Sequence, residues 1–150
     1  MKAKMFARGV ILAFTFLMGV SAQAQAAPSN KEIVVAYFRM MFEDKDVEGA
    51  TKKYVGKPFV QHDPYIADGS DPVADYYLPY FEQHPQASAD IKRVIAEGDM
   101  VMIHSLWKDS PEDRGQAAVD IYRVQNGKIV EHWDVSQDVP ENPANANSMF

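Results

Sequence analysis

Asp120, His132 and Asp134 lie inside apolar, β-branched runs, QAAVDIYRV and KIVEHWDV, where a carboxylate or an imidazole is costly unless it is paired or used. Carboxylate and imidazole are the side chains that move protons near neutral pH, so this grouping points to general acid–base chemistry. His62 and Asp63 in QHDP and His104 in MVMIHSLW add titratable groups to two further strand-like runs. The candidate catalytic residues are therefore Asp120, His132, His62 and His104. Tyr37, Asp63, Asp134, Tyr122 and Trp107 are the candidate binding residues.

Which of these groups meet depends on the hairpin that carries them. Asn126-Gly127 between two β-rich runs is a strong hairpin signal. A two-residue loop sets Asp120 opposite Trp133, whereas a three-residue loop that includes Gln125 sets Asp120 opposite His132. The longer loop is favoured, because it gathers Asp120, Tyr122, His132 and Asp134 on one face. Ile121, Ile129 and Trp133 then fall on the other, with Arg123 diagonal to Glu131 as a cross-strand ion pair.

The elements that position this hairpin follow from local signals. Ser29 with Glu32 three residues on is a capping box, and Ile33, Val34, Tyr37, Met40 and Met41 form one helical stripe. A second helix is predicted from about Asp46 to Tyr54, before Pro58. Phe59 to Asp63 is a short strand stopped by Pro64, with Phe59, Gln61 and Asp63 on one side and Val60 and His62 on the other. Asp71-Pro72 opens a third helix as N-cap and first turn, and Pro79 predicts a kink or break within it. Asp90–Glu97 and Met100–Trp107 are two more strands around Gly98-Asp99. Helices first and antiparallel strands after predict an α+β domain with helices on one face of a curved sheet. From about residue 138 the proline- and asparagine-rich tail is irregular, with Met149 and Phe150 free to dock on the body or a partner.

Lys2, Lys4 and Arg8 ahead of the apolar run Val10–Val20, and SAQA after it, read as a secretory signal over residues 1–26, cleaved near Ala24 or Ala26. The expectation is a periplasmic or secreted protein of one domain, residues 27–150, without stable membrane insertion. Without that segment 12 of the 15 basic residues face 21 acidic ones, a net charge of −9, which disfavours nucleic acid and anionic lipid. The chain has no cysteine. Thiol nucleophiles, Cys-type zinc sites and disulfides are thereby excluded, and stability must come from a packed core.

The run GKIVEHWDV with VDIYR before it, QHDP on the first strand, and the ending PENPANANSMF resemble the SnoaL-like polyketide cyclase family. That family belongs to the nuclear transport factor 2-like superfamily, which includes ketosteroid isomerase. The resemblance covers about Asn30 to Phe150 and implies a cone-shaped α+β fold around a pocket, in which a small-molecule ligand sits, and pairing into a homodimer through the open sheet face. It also implies roles by position: Tyr37, Asp63 and Asp120 stand where the isomerases carry a tyrosine and two aspartates. Asp120 is similar in place to the acid/base of cofactor-free aldol closure, so neither cofactor nor metal is expected. His132 and Asp134 replace apolar positions of the isomerase strand, which favours a polar carbonyl substrate over a steroid. Two other readings stand beside catalysis: a non-catalytic ligand-binding or dimerisation domain, and a metal site built from His62, His104 or His132 with Asp120 or Asp134.

Overall fold

The structure, a computed structural model, describes residues 26–150; the expected export signal lies, but for Ala26, outside the described residues. Three helices and five strands follow in the order α1 (Asn30–Phe42), α2 (Val47–Tyr54), β1 (Val55–Gln61), α3 (Asp71–Gln83), β2 (Ser88–Glu97), β3 (Met100–Lys108), β4 (Gln116–Gln125) and β5 (Lys128–Asp138). The strands form one sheet in the order β1-β5-β4-β3-β2. β2 to β5 make an antiparallel meander, but β1 joins β5 in parallel, so the sheet is mixed where a purely antiparallel one was expected. The α+β class is as the sequence predicts.

Local chemistry sets the helices. At α1 the Ser29 hydroxyl accepts from the Glu32 N–H while the Glu32 carboxylate accepts from the Ser29 N–H at 2.7 Å. A cap of this kind is worth about 1 kcal/mol. Asp46 caps α2 in the same way, through the Gly49 N–H at 3.0 Å. The N-cap of α3 is Ser70, one residue earlier than predicted, and the helix runs on through Pro79 without a break. A proline forfeits only one helical N–H bond, and Val73, Tyr77 and Phe81 on the packed side of α3 hold it against the core on either side of that gap.

The core lies between α1 and one face of the sheet. Phe38 and Met41 are wholly buried, against Val101, Ile103, Tyr122, Val124 and Ile129. Burial stabilises each such side chain by about 1.5–3 kcal/mol, and Phe38→Ala would cost about 3–5 kcal/mol. Phe42 then meets Trp107 edge-on at 5.0 Å and Tyr77 at 5.3 Å, tying α1 to β3 and α3.

The hairpin register matches neither expected alternative. Asn126 and Gly127, both at positive φ, form a two-residue loop that pairs Gln125 with Lys128 and Val124 with Ile129. β5 then bulges at Val130, so Arg123 pairs Glu131, Tyr122 pairs His132 and Asp120 pairs Asp134. One extra residue restores the parity that the longer loop would have given, and Asp120, Tyr122, His132 and Asp134 do share a face. Ile129 precedes the bulge and is therefore in the core, not on the outer face as predicted. Arg123 binds Glu131 directly across the ladder, with Nε 2.6 Å from the carboxylate, where a diagonal pair was expected.

Candidate active site

Asp120 is reached through a chain of three side chains on adjacent strands. Gln61 at the end of β1 accepts the Asp63 backbone N–H on Oε1 at 3.1 Å. That bond fixes the amide orientation, and the same Oε1 lies 2.9 Å from His132 Nδ1. His132 Nδ1 must therefore carry a proton and donate it to Gln61, which turns Nε2 to Asp120 Oδ1 at 3.3 Å. The Tyr122 hydroxyl also donates to Oδ1, at 3.4 Å. Both contacts fall on one oxygen. Asp120 Oδ2 is left without a partner among the described residues, free to exchange a proton with a ligand.

On the other side Asp120 borders a cavity of about 690 Å³. Tyr76, Tyr77 and Tyr80 of α3 and Trp107 of β3 form an aromatic wall, and Asp134 and Asp63 stand near Asp120 on the polar one. The Trp107 indole N–H donates to the Tyr80 hydroxyl at 2.9 Å, which donates to Asp109 at 2.6 Å. Behind Asp120 and Tyr77 is a water-sized hollow of about 10 Å³, bounded also by Tyr37, Gln61, Tyr122 and His132. His132, 7% exposed, thus buttresses Asp120 from behind and does not border the larger cavity.

The electrostatics keep the phenols protonated. Burial, and then the charge of Asp120, push the Tyr37, Tyr77 and Tyr122 hydroxyls above the ordinary tyrosine range. They remain hydrogen-bond donors. Burial also raises Asp134, against the nearby His132, with the carboxylates of Asp63 and Asp120 adding to the rise.

The structure brings Asp120, His132, Tyr122 and Tyr37 together and sets Asp134, Asp63 and Trp107 on the cavity. Two of the four candidate catalytic residues lie elsewhere. His62 is on the outer face of the sheet, stacked on Trp133 at 4.6 Å with Nε2 2.9 Å from Glu131. His104 is on the same face, against Arg93, with Phe150 of the tail stacked on it at 5.6 Å. Strand alternation is the reason: β1 turns Gln61 inward and so His62 outward, and β3 turns Ile103 and Ser105 inward and so His104 outward. This separates His62 and His104 from Asp120 and Asp134, and the described residues contain no group of three or more His, Asp or Glu side chains placed to hold a metal ion. Gln61 and Tyr77 went unremarked as site residues. Alternation placed Gln61 on the side of Asp63, but glutamine carries no titration signal to single it out.

Residues 34–132 match the SnoaL-like domain family, and the chain belongs to it. Solved structures agree on the fold. A proposed polyketide cyclase of Acidithiobacillus ferrooxidans superposes with a TM-score of 0.54 at 17% identity, over 75% of this chain and 91% of its own. A proposed polyketide cyclase of Bacillus cereus gives 0.60 at 19%, over 70% and 72%. An NTF2-like protein of unknown function from Burkholderia xenovorans gives 0.61 at 19%, over 77% and 88%. No curated protein matches the chain.

Proposed function

We propose that this SnoaL-like protein is a cofactor-independent acid–base catalyst that acts on a small carbonyl compound. The observation that carries the reading is the Gln61–His132–Asp120 chain ending on a cavity-facing carboxylate with one unengaged oxygen. Asp120 Oδ2 takes the proton α to the carbonyl and becomes a neutral acid. Negative charge moves to the carbonyl oxygen, where a buried phenol, Tyr37 or Tyr77, donates a hydrogen bond to the enolate. Return of the proton to another carbon completes an isomerisation; attack of the enolate on a second carbonyl completes an aldol closure. His132 supports the Asp120 charge from behind only with a second proton, on Nε2, and Gln61 holds the imidazole in register.

The test is exchange of α-protons in D2O, followed by proton NMR with simple cyclic ketones. Wild-type protein should catalyse exchange, and Asp120→Asn should lose about 10²–10⁴ of it. Bound ketone with no exchange, or equal exchange by Asp120→Asn, would overturn the reading.

A second reading, a domain that binds and pairs without turnover, is favoured by the exposed apolar side chains Val60, Ile95 and Val135 on three strands of the sheet. On this reading a second copy covers the outer face. Light scattering tests it: Val135→Asp should shift a dimer to monomer, and ligand affinity should survive Asp120→Asn.

A further inference from the structure

The walls of the cavity have a charge pattern that the acid–base reading does not require. Asp63, Asp109, Asp113, Asp120, Asp134 and Asp138 all border it. Arg114 is the one basic residue among the described lining, and its Nε is turned to the Val139 carbonyl at 3.3 Å. None of the six carboxylates is in an ion pair with a lysine or arginine among the described residues. Four take neutral donors instead: Asp109 the Tyr80 hydroxyl, Asp138 the Gln116 amide, Asp113 and Asp63 backbone N–H groups.

At the centre of this wall the fold opposes like charges. Asp120 and Asp134 are direct cross-strand partners on one face, an arrangement that destabilises a sheet unless something positive intervenes. Asp63 adds its field to Asp134 from the loop after β1. Opposite them stand the rings of Tyr76, Tyr77, Tyr80 and Trp107, whose faces attract cations. A low-dielectric cleft lined by one sign of charge concentrates ligands of the other sign. An independent observation points to the other end of the ligand. Tyr77 borders both the cavity and the hollow beside Asp120, and its hydroxyl has no hydrogen-bond partner among the described residues. That free donor is placed to meet a ligand oxygen in the cavity.

We propose that the cavity takes an amine-bearing carbonyl compound, its ammonium group held by Asp134 and Asp63 against the aromatic wall while its carbonyl is directed towards Asp120 and Tyr77. The proposal rests on the acid–base reading above for the carbonyl end alone. Charge selection belongs to the wall.

The experiment uses three six-membered ring ketones that differ in charge: N-methyl-4-piperidone as the cation, cyclohexanone as the neutral ring, and 4-oxocyclohexanecarboxylate as the anion. Binding to full-length protein is measured by calorimetry at low and high salt, and α-proton exchange by NMR. The cation should bind at least about tenfold tighter than the neutral ring, and the anion weakest. High salt should shrink the preference. The double variant Asp63→Asn, Asp134→Asn should abolish it, with melting curves showing that the variant is folded; the salt series on wild-type protein supplies the same test without any substitution. Equal binding of the three rings, or preference for the anion, overturns the proposal, and exchange on the neutral ring would then leave the acid–base reading standing. Selective cation binding without exchange on any ring supports the proposal and removes the acid–base reading.

Discussion

His132 Nδ1 lies 2.9 Å from Gln61 Oε1, an oxygen that already accepts the Asp63 N–H, so the imidazole is held with its proton on Nδ1. The consequence is directional. Nε2 is thereby turned to Asp120 Oδ1, at 3.3 Å. Nitrogen-15 NMR of the wild-type protein at high pH should show the neutral ring protonated at Nδ1. Gln61→Leu removes the acceptor and should mix the tautomers. Turnover of the α-proton should then fall by about 100-fold, the scale of a misaligned catalytic group, with little change in ligand affinity. A neutral ring protonated at Nε2 in the wild type would contradict the assignment.

Asp134 gives a stability prediction with a definite sign. Burial and the charges of Asp63 and Asp120 raise its carboxyl in the folded chain. The folded state thus holds this proton more tightly than the unfolded one. The stability it contributes is present below the unfolded value and is lost as pH rises through the folded one. Asp134→Asn should therefore stabilise the protein at neutral pH, by about 0.5 kcal/mol for a like-charged cross-strand pair. The gain should vanish in acid. Thermal melts across pH check this, and a variant less stable than wild type at neutral pH would contradict it.

How much of this site was legible beforehand depends on which interaction decided each position. Local signals sufficed for α1, because Ser29 and Glu32 complete their cap within four residues, and for the faces of β1 and β3, because strand parity is a local property. The same parity sets His62 on the side away from Gln61, so its standing as a catalytic candidate rests on the imidazole alone and not on its face. Its ring stacks on Trp133 and binds Glu131, which are structural contacts that no titratable side chain announces in sequence. The bulge at Val130 was not legible. It exchanges ladder bonds near the turn for burial of Ile129, Tyr122 and His132 together, and that balance is struck in the tertiary core. The parallel joining of β1 to β5 was hidden for the same reason, since it depends on where two helices carry the chain.

Ser105 provides a test of the core itself. It is wholly buried on β3, and its hydroxyl is the one buried side-chain polar atom without a hydrogen-bond partner among the described residues. A buried hydroxyl without a partner keeps its desolvation penalty, of about 1–3 kcal/mol. Ser105→Ala removes the oxygen and leaves only a small void. The variant should be more stable by about 1 kcal/mol, and its Tm higher by several degrees. A loss of stability would mean that the hydroxyl has a partner in solution.

The bulge makes the sharpest prediction, because Val130 is the residue of β5 that stands without a partner on β4 while its neighbours keep theirs. Deleting Val130 leaves the Asn126-Gly127 turn intact and removes the extra residue that separates the Val124–Ile129 and Arg123–Glu131 pairs. Continuous pairing then keeps Arg123 opposite Glu131, Tyr122 opposite His132 and Asp120 opposite Asp134, so no side chain of the site changes face. The deletion should cost only about 1 kcal/mol and leave α-proton exchange in place. Deleting Trp133 instead sets Asp134 opposite Ile121, on the outer face, and brings Val135 opposite Asp120. That variant should cost more than about 2 kcal/mol and lose the Asp134 carboxylate from the cavity. Circular dichroism melts and α-proton exchange of the two deletions decide the matter. A Val130 deletion that melts as far below wild type as the Trp133 deletion, and loses exchange, would show that the bulge itself holds the register of the site.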